Sequence, residues 1–290
     1  MVCLCLFNAI DILNCHAAWL RNSAHREFIV RYFSTFRPFL FALSFITVLP
    51  PAQANTEEEK WEFVWNTVIH ILHHEIGHAL VDQFNIPVVG QEEDAVDGFA
   101  TVAVLETYDD PQPILLDAAA SWFAMHDERI AAGEEPTYFD LHDLDIQRAY
   151  RIICVAHGYD PEKFAEAAKE VELPEDRLET CVFDAEQAIN SWDKLLSNAY
   201  RKEETPAGKV TLSVVDVPEF ADAKKRLDET GIAPEIAKWM DTTYNWPRPI
   251  TVAFDKCGEE NAFYMPDEVK VIMCYEFITY LRGLADTMDE

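Results

Sequence analysis

The segment from Thr56 to about Gln83 constrains this chain more than any other. It begins with Thr56-Glu57-Glu58-Glu59, where the Thr56 hydroxyl and the Glu59 carboxylate can each satisfy a backbone donor of a first helical turn. From Trp61 onward apolar residues fall at helical spacing and cover most of the circumference. A helix of that kind is buried on several sides, so the rest of the chain has to pack around it. Asn85-Ile86-Pro87 and Gly90 then end it. Inside this apolar helix stand His70, His73, His74, Glu75 and His78. Burying such side chains is costly unless each has a partner.

Residues four apart on a helix differ by about 40° in azimuth and about 6 Å along the axis. The imidazoles of His74 and His78 can therefore converge on one cation, supplying two of the three protein ligands of a catalytic Zn2+. Glu75 projects at the edge of that face, where a carboxylate can take a proton from an activated water and later deliver it to a leaving amine. His-Glu-x-x-His fixes only three positions and does occur by chance. The plain alternative, a solvated face with incidental histidines, fits poorly with the apolar sequence on every side.

A third ligand should come from a neighbouring element, and GQEEDAVDGFA opens the next helix just after the turn. Glu93 and Asp97 share a face continued by Ala100 and Val104, so that face points inward. The expectation is Glu93 on the metal, with Asp97 accepting a hydrogen bond from the free ring nitrogen of a ligand histidine, His74 first. Glu92, Asp94 and Asp97 compete for the ligand role, although acids suited to a helix N-terminus explain the first two without a metal. Hydrolysis also needs a donor for the oxyanion. FDLHDLDIQRAY offers His142, with Arg148 and Tyr150 behind it; helix capping or plain surface exposure is the competing account of each.

Beyond this region the chain reads as helical to about residue 200, with helices near 92–107, 113–132, 142–157, 161–170 and 178–200. After Pro206-Ala207-Gly208, KVTLSVVDV alternates like a strand, two short helices follow (about 218–230 and 233–243), and ITVAFDKC, NAFYMP and VKVIMCYEF read as further strands before a last helix. The fold class expected is α+β, mostly helical with a small mixed sheet. The division expected is a leader at 1–54, a helical segment with the zinc site at 55–205, and a strand-helix-hairpin segment at 206–290 completing the same domain.

The leader differs from the rest. Arg31 and Arg37 precede an apolar run from Phe39 to Leu49, and Ala52-Gln53-Ala54 provides small residues for cleavage after Ala54. The run is shorter than the ~20 apolar residues of a membrane span and ends at Pro50-Pro51, so no stable membrane anchor is expected. This makes the chain secreted or periplasmic. Four cysteines then remain, Cys154, Cys181, Cys257 and Cys274, and an oxidising compartment favours two disulfides. Pairing by nearness in sequence joins Cys154 with Cys181 and Cys257 with Cys274. With a formal net charge of −29 the surface repels nucleic acid and anionic headgroups. Oligomeric state is not readable from the sequence.

HEIGHAL followed by EEDAVD resembles the gluzincin branch of the zincin metallopeptidases. More closely, HEIGHALVD, GQEEDAVDGFAT, HDLDIQRAYRIIC, LPEDRLETC, PRPITVAFDKCGEENAFYMP and VIMCYEF together resemble a bacterial metallopeptidase family known as domain of unknown function 4344. The resemblance implies a zincin-like fold and a zinc-dependent metallopeptidase acting on a peptide or protein substrate, with a downstream Glu-x-x-x-Asp supplying ligand and support. One departure stands out: in zincins the strand and hairpin segment precedes the active helix, and here it comes last. A circular permutation would explain this and keep the sheet beside the cleft, whereas a second, truncated copy would leave the site incomplete. Two rivals to the peptidase reading are a catalytically inactive zinc-binding module or scaffold and a metal-dependent hydrolase of non-peptide amides.

Overall fold

A computed structural model of the protein describes residues 55–202 and 205–288, so the leader, its cleavage site and Cys3, Cys5 and Cys15 lie outside the described residues. The first helix, α1 (Glu57–Phe84), starts as its sequence dictates. The Thr56 hydroxyl accepts from the Glu59 amide at 3.3 Å, and the Thr56 amide donates to the Glu59 carboxylate at 2.6 Å. Asn85, in the left-handed region at φ 52°, ends it.

The apolar circumference of α1 is matched by neighbours around it. α2 (Glu92–Thr107) and α3 (Gln112–Ala132) pack along it, and so do the late elements β3 (Ala262–Met265), β4 (Lys270–Cys274) and the last helix, α9 (Tyr275–Thr287). Val64, Val68, Leu72, Ile76 and Leu80 lose all solvent contact in consequence. At a few kcal/mol for each large apolar side chain removed from water, α1 anchors the core. α4 (Asp145–Tyr159) bridges α3 and α6 (Glu175–Leu196), with the short α5 (Ala165–Glu170) between them, and the Cys154–Cys181 disulfide ties α4 to α6.

The remaining elements are β1 (Val210–Val214), a 3-10 turn at Pro218–Phe220, α7 (Ala221–Thr230), α8 (Ile232–Thr243) and β2 (Ile250–Asp255). They form a four-stranded sheet in the order β1-β2-β4-β3, in which β1 and β4 run parallel to β2 and β3 runs antiparallel to β4. Val252 sits between Leu212 and Val271 at the middle of the ladder, and the two central strands β2 and β4 are mostly buried, as central strands covered by helices should be. The Cys257–Cys274 disulfide joins the exit of β2 to the end of β4. The fold is thus α+β, mostly helical with a small mixed sheet, and both disulfides join the cysteines nearest in sequence.

The hairpin is not a separate piece. The Tyr264 hydroxyl on β3 donates to Asp82 at 2.6 Å and accepts from Gln83 at 2.9 Å, both on the last turn of α1. At the other end of that helix Lys60 pairs with Asp286 of α9 at 2.7 Å, and Arg282 with Glu57. The strand segment that follows α1 in sequence therefore lies against it in space.

Several boundaries differ from the periodicity, and two have a visible cause. The helix expected from 142 begins at Asp145, because the Asp140 carboxylate accepts from the amides of Leu141 and His142 and holds that stretch in a turn. The helix expected to reach 200 ends at Leu196, and Tyr200 instead bridges to Tyr244 ahead of β2.

Candidate metal centre

Gly77 decides how closely α1 and α2 approach. A Cβ at this position would lie 2.8 Å from the Val96 Cβ, inside contact distance, so only glycine lets the two backbones come this near. That approach carries the first turn of α2 onto His74 and His78. Glu93 Oε2 lies 3.1 Å from His74 Nε2 and 3.1 Å from His78 Nε2, and the two nitrogens are 3.3 Å apart.

The outer nitrogens of both rings face carboxylates. His74 Nδ1 is 2.7 Å from Asp97 Oδ1, and His78 Nδ1 is 2.8 Å from Glu92 Oε1. An ionised carboxylate can only accept, so each Nδ1 carries the proton and each Nε2 presents its lone pair. Two lone pairs and a carboxylate oxygen thus meet around one point, an arrangement that repels itself unless a positive charge stands there. Ligands held at 2.0–2.1 Å in a tetrahedron are separated by about 3.3–3.4 Å, close to the spacing seen. His74, His78 and Glu93 are thus a donor set that fits a metal ion.

The electrostatics point the same way. Burial works to lower His74, but hydrogen bonds to Asp97 and Glu93 prevail and raise it to about 9. Burial works against the charge on Glu93 as well, and the three imidazoles of His142, His74 and His78 hold it far below the usual carboxylate range. The site asks for positive charge, and a proton is the least that can provide it.

Glu75 lies beside these groups with 6% of its surface exposed, and burial raises its carboxyl. The charges of His74 and His78 pull in the opposite direction, as does a hydrogen bond with the Tyr264 backbone. β3 therefore passes directly by the Glu75 carboxylate.

His142, in the turn before α4, also reaches the cluster. Its Nε2 lies 2.9 Å from Glu93 Oε2, and its ring stacks at 6.1 Å on that of His74. The structure thus brings His142 to the face of the cluster that opens to solvent. Arg148 and Tyr150 do not stand behind it. Arg148 is buried and clamps Asp97 with two hydrogen bonds of 2.8 and 2.7 Å, its guanidinium 3.7 Å from the centre of the Trp122 ring. Tyr150 packs edge-on against Phe123, away from the cluster. Asp97 is held well below the usual range, the charges of Arg148 and His74 overcoming its burial.

Sequence reasoning missed two parts of this arrangement. Fifty-one positions separate Asp97 from Arg148, and no local spacing connects them. The Glu92 contact with His78 had a signal, since Glu92 neighbours Glu93, but acids at a helix start have a ready explanation in its dipole. Of the remaining acids Asp94 turns away, its carboxylate 3.5 Å from Arg151.

No curated protein and no solved structure is significantly similar to this chain. A family described as "Putative metallopeptidase", domain of unknown function 4344, matches residues 46–196 and 214–289, which include every side chain of the cluster and the strands packed against it. The chain belongs to that metallopeptidase family.

Proposed function

We propose that this chain is an exported zinc-dependent peptidase that hydrolyses peptide bonds, with His74, His78 and Glu93 holding the ion. The observation that carries the reading is the meeting of three lone-pair donors within 3.3 Å of one another, next to a buried carboxylate that none of them needs. A purely structural zinc usually fills its fourth position with a side chain and has no use for a general base. Zinc suits two imidazoles and a carboxylate, and when bound it acidifies a water and polarises a carbonyl.

The chain's own groups account for the rest. Glu75 takes the proton of the attacking water and passes it to the leaving amine nitrogen, and its raised pKa helps it keep the proton between the two transfers. Nδ1 of His74 is fixed by Asp97, and Asp97 by Arg148, so the ligand ring cannot turn. His142 is half-exposed on the open side, where an imidazole N–H can donate to the oxyanion. Among the described residues β3 is an edge strand, with β4 on one side only, and a peptide laid along its other edge would pass Glu75. Two disulfides suit an oxidising compartment and support export through a leader cleaved after Ala54.

The test is hydrolysis of an unstructured protein such as casein by the chain from Asn55 onward. Treatment with 1,10-phenanthroline should abolish it and added zinc should restore it. Glu75→Gln should lower it by about 10²–10⁴-fold with bound metal retained. Full activity in either case rejects the proposal. Metal retained with no turnover in the unaltered chain would leave the inactive zinc-binding module instead.

A further inference from the structure

At the end of α2 remote from Glu93, a groove of about 380 Å³ opens between α2, α6 and α8. Glu106 follows Glu93 by more than three helical turns, about 20 Å along the axis, so this groove is distinct from the metal centre. Its floor is aromatic, with Phe99 and Trp192 packed at 4.9 Å. One wall is made by Trp239 and Tyr244, whose rings stand at 88° to each other, with Tyr200 stacked on Tyr244.

The polar groups here lack partners. Glu106 and Asp193 line the groove, no basic side chain lines it with them, and among the described residues neither carboxylate has an ion pair or hydrogen bond. Partial burial raises Glu106, and the charge of Asp193 adds to this. Tyr244 lines the groove with a side chain only 4% exposed, and among the described residues its hydroxyl has no hydrogen-bond partner. Burial, with Tyr200 and Glu106 nearby, pushes that hydroxyl up, so it remains a donor. An aromatic lining, two uncompensated carboxylates and an unpaired hydroxyl on a largely buried ring together describe a ligand. It is cationic, greasy around its charge, and carries a hydrogen-bond acceptor close by.

We propose that the groove between α2, α6 and α8 binds an organic ammonium group, quaternary or alkylated, that bears a hydroxyl or carbonyl oxygen. The cation lies against the aromatic wall near Glu106 and Asp193, and its oxygen accepts from Tyr244. Binding here is independent of the metal centre and of peptidase activity.

Choline serves as the probe, followed by titration calorimetry and by the fluorescence of Trp192 and Trp239 in the full chain. Its uncharged carbon isostere, 3,3-dimethylbutan-1-ol, keeps the shape and the hydroxyl. Choline should bind saturably and the isostere should not. Glu106→Gln and Asp193→Asn, both at exposed positions, should each weaken choline about fivefold, and Tyr244→Phe by a similar factor. Glu186→Gln, an exposed acid elsewhere on α6, should change nothing. The proposal is overturned if choline does not saturate, if the isostere binds as well, or if Glu186→Gln weakens binding as much as the groove variants do, since the last would reflect bulk charge alone.

Discussion

Two adjacent turns of α1 carry four histidines with opposite fates. His70 and His73 are buried and neutral: burial lowers them to about 3 and about 4. His70 Nε2 lies 3.3 Å from the Thr101 hydroxyl, and His73 Nδ1 donates to the Ile69 carbonyl at 2.8 Å with its ring against Trp239. His74 is just as inaccessible, yet raised. The difference is not depth but company. His74 and His78 each have a carboxylate behind Nδ1 and share a third in front of Nε2, while among the described residues no carboxylate hydrogen-bonds either ring of the first pair. Burial makes a histidine a packing residue, and carboxylates on both sides of the ring fit it to serve as a ligand.

The hardest test of that contrast removes rings from both turns. His74→Ala or His78→Ala should take bound zinc from about one ion per chain to nearly none and end hydrolysis, as metal analysis and a casein assay would register. His73→Ala should keep its zinc and instead lose about 3 kcal/mol of stability by leaving a cavity, seen in urea unfolding. Zinc loss from His73→Ala in a chain that is still folded would erase the distinction between the turns.

Protons give a second contrast. A histidine whose folded pKa is lowered is neutral in the fold when the unfolded chain would already be charged. Its contribution is therefore complete above about 6.5 and is lost as pH falls toward about 3 for His70 and about 4 for His73. Each costs about 1.4 kcal/mol per pH unit across that window. Unfolding free energies measured from pH 7 to 4.5 should fall less steeply in His73→Phe, by about one proton, than in the unaltered chain. An unchanged slope would mean that His73 is charged in the fold.

Much of this was legible in sequence because it is local. The Thr56 cap, the apolar circumference of α1, the i and i+4 histidines and the Glu93-to-Asp97 spacing all lie within one or two helices, where periodicity fixes which side chains share a face. The two cysteine pairs were legible for the same reason. What could not be read depends on contacts between distant segments: the Arg148 clamp on Asp97, the Tyr264 backbone at Glu75, and the strand order β1-β2-β4-β3. Gly77 lies between the two. It occupies an unspecified position of the His-Glu-x-x-His pattern, and only the 2.8 Å approach of Val96 explains why glycine is there.

Within the turn proposed to bind the metal the contrast sharpens to the supports behind the two proposed ligands. Asp97 is buried, bound to His74, and itself clamped twice by Arg148, so its loss frees the ring and strands a guanidinium. Asp97→Asn should lower zinc affinity by about 10–100-fold, measured by competition with a fluorescent chelator. Arg148→Met should fall toward the same range because Asp97 then loses its anchor.

Glu92 is the weakest support, and the most informative about why company matters only where water is excluded. Its carboxylate meets His78 Nδ1 at 2.8 Å, nearly the distance Asp97 keeps from His74, but its side chain is 46% exposed and among the described residues has no second clamp. Water can take its place at the ring nitrogen at small cost, and solvent screens what charge it contributes. Glu92→Gln should therefore weaken zinc by no more than about threefold, with hydrolysis nearly unchanged. A loss as large as that of Asp97→Asn would mean that the charge of a carboxylate orders the ligand ring regardless of burial, and the distinction drawn between the two supports would fail.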